Sequence, residues 1–474
     1  MRKETILEWL ESNKDIFTEM AQKIWENPQI AYEESFASEL QMKALEKDGF
    51  QISRKIGGAE TAFVAEFGSG RPIIGILGEY DALPGLSQSV STSHDEIVPN
   101  GPGHGCGHNL LGTAGVAAVM SIKDIIVANK MEGTIRYYGC PAEEVLSGKT
   151  FMARQGVFDD LDCALTWHPG TSNIVANMSM QAMVSIKYHF KGITAHAAGA
   201  PHAGRSALDA VELMNVGTNY MREHVLDGSR IHYVITNGGL APNVVPDRAS
   251  VWYYLRAATK EQVDEMLERV NKIAQGAALM SETEVESEIL AFAYETLPND
   301  TLNDVMLENM KLAGSPVFTE MEREFAEALV KTVDPKTVAM SKRLFGGNSS
   351  EILPSSYDYF PNLKGVSVGG STDVGDVSWI TPVGQIMTTC APVGVQAHSW
   401  QATASYGSSI GFKGMHFAAK SMALSLYDLL VDSSLISKAR QEFTEATGGK
   451  PYIPGIPEEV MPPGSLGPVA ELVK

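Results

Sequence analysis

The densest run of possible metal donors in the chain is His104-Gly105-Cys106-Gly107-His108-Asn109. Its glycines keep it from being a helix interior and let the backbone come close to a ligand. Thiolate and imidazole both suit zinc and other borderline divalent ions. A Cys/His pair is half a site, and a polar loop ahead of a helix is the plain alternative. Pro141-Ala142-Glu143-Glu144 adds two adjacent carboxylates. Such pairs are ordinarily solvated surface, but these end an apolar strand, where surface charge serves no purpose. Neighbouring side chains of extended chain point apart. One carboxylate can therefore hold a metal while the other faces a bound water as general base. His168 and His398 can complete a site of mixed N, O and S donors; taken singly, each reads as a structural histidine.

These groups share a placement. Glu79-Tyr80-Asp81 follow a predicted strand at 72–77, Glu143-Glu144 one at 134–140, His168 one at 162–167, and Ser371-Thr372-Asp373 a short apolar run at 366–368. Ligands of open α/β sheets bind beyond the carboxyl ends of the strands, so these loops should converge in one crevice. Strands alternating with helices, such as 110–129, predict an α/β fold with a mainly parallel sheet. From residue 183 the order becomes β-α-β-β-α-β, a ferredoxin-like unit. The expected organisation is a catalytic, metal-binding domain over 1–182 and 298–474, interrupted by an inserted domain at 183–297. Residues 450–474 carry six prolines and read as a surface tail.

The chain has 474 residues, enough for two domains, and a formal net charge of −20 with no Lys/Arg cluster. That excludes nucleic acid and anionic membrane as natural partners. An anionic substrate must be met by local positive groups. Residues 1–29 are spaced for amphipathic helix and carry no export signal, and the four cysteines follow no disulfide spacing. A reducing cytoplasm is the expected location.

Taken in order, Gly-Glu-Tyr-Asp-Ala-Leu-Pro-Gly (78–85), Gly-His-Gly-Cys-Gly-His-Asn-Leu-Leu-Gly (103–112), Pro-Ala-Glu-Glu (141–144) and Trp-His-Pro (167–169) resemble the M20 metallopeptidases, in their aminoacylase-like amidohydrolase branch. Gly-Ile-Thr-Ala-His-Ala-Ala (192–198), Pro-Asn-Val-Val-Pro (242–246) and Ser-Thr-Asp-Val-Gly-Asp-Val-Ser-Trp (371–379) fit the same branch, and the likeness runs from about residue 15 to 435. The stretch 148–160 looks like the p-aminobenzoyl-glutamate hydrolase group, in its B-type form. The resemblance implies two divalent ions, zinc or manganese, held by Cys106, His108, Glu144, His168 and His398. It makes Glu143 the base that deprotonates the attacking water and Asp81 a carboxylate fixing a ligand imidazole. His196 of the inserted lid would reach across a dimer interface to the oxyanion, while Asn243 and Arg256 grip the substrate carboxylate. Glu79 stands where other branches have a ligand histidine, Asn109 replaces a common Asp, and His202 receives no role. The implied reaction is hydrolysis of the amide of p-aminobenzoyl-glutamate or a similar N-acyl amino acid, by a homodimer or a heterodimer with a homologous chain. A broader aminoacylase or dipeptidase is the nearest rival, and a non-catalytic subunit of a heteromeric amidohydrolase the rival of another class.

Overall fold

A computed structural model of the chain describes residues 2–345, 351–358 and 366–463. The larger domain is built on an eight-stranded sheet. Its order is Gln51–Arg54, Phe63–Ser69, Gly133–Cys140, Ile73–Glu79, Cys163–Gly170, Val383–Thr389, Asn173–Val175 and Tyr357–Asp358. The central four strands are mutually parallel, so their carboxyl ends lie along one edge. Parallel pairing dominates the centre as expected, and antiparallel strands flank it. Phe63–Ser69 runs antiparallel to Gly133–Cys140, and Asn173–Val175 antiparallel to Val383–Thr389. Phe63–Ser69 and Ile73–Glu79 follow each other closely in sequence, yet Gly133–Cys140 lies between them.

Helices cover both faces. On one, His108–Asn129 and Ser409–Val431 pack with the N-terminal helices Arg2–Ser12 and Lys14–Glu26 over Ile74, Ile76, Leu165 and Ile386. His108–Asn129 is apolar and long enough to cross a membrane, but 78% of its most apolar window is buried inside the protein. Gly112 lets this helix approach the sheet, since a Cβ there would lie 2.6 Å from the Glu79 carbonyl oxygen. The first turn of the helix is thereby held against the end of strand Ile73–Glu79. The opposite face is covered by Gly148–Arg154 and Val374–Ser378, packed on Leu77, Tyr138 and Ala164.

The second unit is a four-stranded antiparallel sheet in the order Glu284–Ala293, Ala182–Lys191, Arg248–Ala257, Arg230–Asn237. Helices Ala207–Met221 and Lys260–Ser281 pack on one of its faces. Strand Arg248–Ala257 shows the two-residue period this requires. Val251, Tyr253 and Leu255 are buried, while Trp252, Tyr254 and Arg256 lie on the open face and are half-buried.

The units meet where Gln181 N–H donates to Gly370 O (2.9 Å), the Arg256 guanidinium donates to Ser371 Oγ (2.6 Å), and Leu146 joins Met183 and Ala293 in a small apolar cluster edged by Tyr254. The beginning of the proline-rich segment is no loose tail. Tyr452 donates to buried Asp376 (2.5 Å), Tyr294 donates to Ile453 O (2.7 Å), Arg154 donates to Pro457 O and Val460 O, and Ile456 is buried. Proline content signals the lack of regular structure, and these side-chain anchors supply the order instead. The rest of the expected tail, 464–474, lies outside the described residues.

Candidate metal centre and active site

The parallel strand ends and the helix start bring the sequence-distant donors together. Gly107, in the left-handed region at φ 81°, turns the chain so that His108 opens the helix His108–Asn129. Cys106 Sγ lies 3.5 Å from His168 Nε2, His398 Nε2 3.3 Å from Glu144 Oε2, and His108 Nε2 3.8 Å from Glu143 Oε2. Three sets of donors each fall within 4.8 Å: Cys106, His108 and His168; Cys106, Glu144 and His398; Glu79, His108 and Glu143. Bonds of about 2.0–2.3 Å arranged tetrahedrally set ligand atoms about 3.3–3.8 Å apart, so the spacing fits cation coordination.

His108 and His168 are each aimed by a partner on the other ring nitrogen. His108 Nδ1 donates to Asp81 Oδ1 (2.9 Å), leaving Nε2 buried with no hydrogen-bond partner. His168 Nδ1 donates to Pro169 O (2.8 Å), turning Nε2 toward Cys106. His398 stands at the rim with a side chain 55% exposed. Its left-handed backbone, φ 62°, is held by the bond from its N–H to Gly105 O. Asp81 also accepts from Glu144 N–H (2.9 Å), so one carboxylate orients two of the donors.

The Glu143-Glu144 pair is not extended, as its position after a strand suggested. Glu143–Val145 form a single 3₁₀ turn between Ala142 and Leu146, both at positive φ. Buried Glu34 steadies this strained entry by accepting from Ala142 N–H (2.9 Å). Successive side chains of a 3₁₀ turn splay by about a third of a revolution, so the two carboxylates still diverge. Glu143 approaches Glu79 and His108, and Glu144 approaches His398.

Electrostatics show what the pocket lacks. Burial, reinforced by Glu79, raises Glu143 well above the ordinary carboxylate range. Burial lifts Glu144 to about 7 against the pull of His108, and lifts the Cys106 thiol as well. Burial alone would discharge His108, but Cys106 and Asp81 hold its pKa well above the usual value. Burial and the charge of His108 lower His168 to about 4, so its ring is a neutral ligand. An orphaned Nε2, a buried thiol and several carboxylates form a donor set that a divalent cation would satisfy.

Sequence reasoning left Glu79 unexplained and passed over Lys149. Fully buried Lys149 donates to Glu79 Oε1 and to Asp373 Oδ1, each at 2.6 Å, while Glu79 Oε2 sits 3.3 Å from His108 Nε2. Lys149 lies inside the distinctive 148–160 stretch, which was the available signal. Asn109 donates to Tyr406 O and stays out of the cluster. His202 is exposed, and His104 is buried with its pKa lowered by burial to about 3.

Arg256 lies on the open face of the inserted sheet, beside Ser371. His196 and Asn243 are exposed on the same unit, joined through the His196/Val244 bridge and the bond from Ala197 N–H to Asn243 O. Neither makes a hydrogen bond or ion pair with the donor cluster of its own chain among the described residues.

Residues 179–280 match the family described as the peptidase dimerisation domain. Over 466 residues the chain is 42% identical to the B-type component of p-aminobenzoyl-glutamate hydrolase from Escherichia coli strain K12, covering 96% of this chain and 97% of that one. Among solved structures, an aminobenzoyl-glutamate utilization protein from Klebsiella pneumoniae superposes with a TM-score of 0.62 at 17% identity, covering 89% of this chain and 97% of that one. A dinuclear metal-binding M20 peptidase from Bacillus subtilis gives 0.53 at 15% identity, covering 87% and 98%.

Proposed function

Because the chain belongs to the M20 family of peptidases and amidohydrolases, we propose that it hydrolyses the amide bond of p-aminobenzoyl-glutamate or a closely similar N-acyl amino acid. The observation that carries this reading is the gathering of Cys106, His108, Glu144, His168 and His398 around one pocket that also receives Glu143. Those five residues would hold two divalent cations, zinc or manganese. Such a pair supplies an acidified water and an electrophile for the scissile carbonyl.

The chain's own groups do the rest. Glu143 has a carboxylate poised by burial to accept a proton from water at Oε2 and pass it to the leaving amine. Asp81 keeps His108 oriented through Nδ1. Arg256 and Asn243 would grip the substrate carboxylate and so present the carbonyl. His196 Nδ1 accepts from Ala198 N–H (3.2 Å) and Gly199 N–H (3.0 Å), which leaves the neutral ring its proton on Nε2. That exposed N–H suits donation to an oxyanion in a neighbouring protomer, either a second copy or a homologous chain. The four cysteines are free and buried, which accords with a cytoplasmic setting.

Purified chain loaded with manganese or zinc should cleave p-aminobenzoyl-glutamate in preference to N-acetyl amino acids and short dipeptides. Glu143→Ala should keep its metal and lose turnover by roughly 10²–10⁴-fold. Full activity in that variant would refute the assignment. Inactivity of the loaded parent toward every amide would favour a non-catalytic subunit.

A further inference from the structure

The inserted sheet carries a charge arrangement of which the proposed chemistry uses only Arg256. Arg230 stands directly opposite Arg256 in the antiparallel register, and His232 opposite Tyr254, on the open face. Directly opposed side chains have Cβ atoms about 4.5–5.5 Å apart, and like charges so placed repel. Arg222 adds to the field at His232, whose pKa is lowered by burial and by Arg256, Arg222 and Arg230.

None of the three arginines makes an ion pair among the described residues. Arg222 donates to Asn219 Oδ1 and Ile231 O, Arg230 to Ser229 O, and Arg256 to Ser371 Oγ. In a chain of net charge −20, carboxylates to neutralise them are plentiful, yet the folded chain leaves this end of the sheet cationic. The patch also lies beside the catalytic domain. Gln181 Nε2 donates to Gly228 O (2.9 Å) while its backbone N–H bonds Gly370, next to the Ser371 that holds Arg256.

We propose that Arg230 is a specificity-determining residue which, beside the carboxylate held by Arg256, forms a subsite for the second carboxylate of a dicarboxylic amino acid on the amine side of the scissile bond. This rests on the hydrolase reading for the meaning of the site but not for the binding it predicts. A single carboxylate satisfies Arg256 and leaves Arg230 repelling it. Two carboxylates joined by a short carbon chain can pair with both guanidinium groups, and the like-charge repulsion becomes attraction for the ligand.

The test uses two ligands that differ in one group, p-aminobenzoyl-L-glutamate and p-aminobenzoyl-L-glutamine. Binding is measured by calorimetry on the metal-loaded full chain carrying Glu143→Ala, so that no turnover intervenes. The glutamate ligand should bind about ten- to a hundredfold more tightly, the factor expected for a hydrogen bond to a charged group. Adding Arg230→Gln should abolish that preference, and Arg230→Lys should retain part of it. The proposal is overturned if the parent shows no preference, if Arg230→Gln leaves it intact, or if both ligands weaken by the same factor. A preference that vanishes with Arg230→Gln, in a chain whose parent cleaves no amide, would uphold the subsite while the hydrolase reading falls.

Discussion

Replacing Lys149 with methionine would remove a buried cation from between two carboxylates. The ammonium is fully buried and 2.6 Å from both Glu79 Oε1 and Asp373 Oδ1. Left charged and unpartnered, these groups would cost about 3–5 kcal/mol. They can instead take up protons. Asp373, lifted by burial to about 6 even with Lys149 present, adds about 1.4 kcal/mol at pH 7 by that route. The loss at pH 7 should therefore be about 3–5 kcal/mol, with the Asp373 share relieved by protonation. The loss arises from carboxylates forced to stay charged or to bind a proton, so it shrinks as protons become plentiful. At pH 5 the loss should be smaller by about the 1.4 kcal/mol that Asp373 contributes at pH 7. Urea denaturation of the metal-free Lys149→Met protein at both pH values measures it, and Asp373→Asn in the same chain should recover part of the loss. A penalty under about 1 kcal/mol at pH 7, or an equal one at pH 5, would show that Lys149 is not the counter-ion of this cluster.

Asp81→Asn takes from His108 Nδ1 its charged acceptor, and divalent-ion affinity should fall by about 10–100-fold in a chelator competition; unchanged affinity would remove Asp81 from the site. In metal-free protein, burial raises Glu144 from 4.5 to about 7 and Asp376 from 3.8 to about 7. A raised carboxyl pKa favours the folded state when protonated, so stability should decline as pH climbs from about 4 through 7, with Glu144 contributing about 3 kcal/mol. Manganese or zinc should cancel the Glu144 share, and melting curves that rise with pH in the metal-free chain would contradict this. Tyr452→Phe deprives buried Asp376 of a donor and should destabilise by about 1–3 kcal/mol in denaturant titrations; a change within 0.5 kcal/mol, about the scatter of ordinary surface substitutions, would mean the C-terminal segment carries no weight.

What was legible in the sequence was whatever depends on period and chain order. The strand ends that carry Glu79, Glu143 and His168 lie on one edge because the central strands are parallel, and alternation of strands with helices announces that arrangement. The antiparallel partners were not legible. Strand Phe63–Ser69 has the same apolar pattern whichever neighbour it joins, and the choice falls to Gly133–Cys140, far along the chain. Lys149 was hidden for a related reason. A lysine in a short helix reads as solvated unless its partners are known, and these come from residues 79 and 373. Tyr452 looked like part of a tail because its anchor, Asp376, lies in another segment.

The charge distribution would also orient the proposed substrate. Glu79, Asp81, Glu143, Glu144 and Asp373 are concentrated with Cys106 in a pocket where Lys149 is the buried ammonium. Such a pocket repels a carboxylate and welcomes a cation. Across the junction, Arg256 and Arg230 offer the opposite field on the inserted sheet. Under the proposed reading, a molecule with an anionic end and a neutral amide carbonyl would have one favourable orientation: its carboxylates against the arginines and its carbonyl toward Glu143. Reversing the sign at position 230, with Arg230→Glu, should weaken a dicarboxylic ligand more than Arg230→Gln does, since it adds repulsion to the loss of attraction. An Arg230→Glu protein that binds such a ligand as well as Arg230→Gln would show that the field of this patch does not reach the substrate.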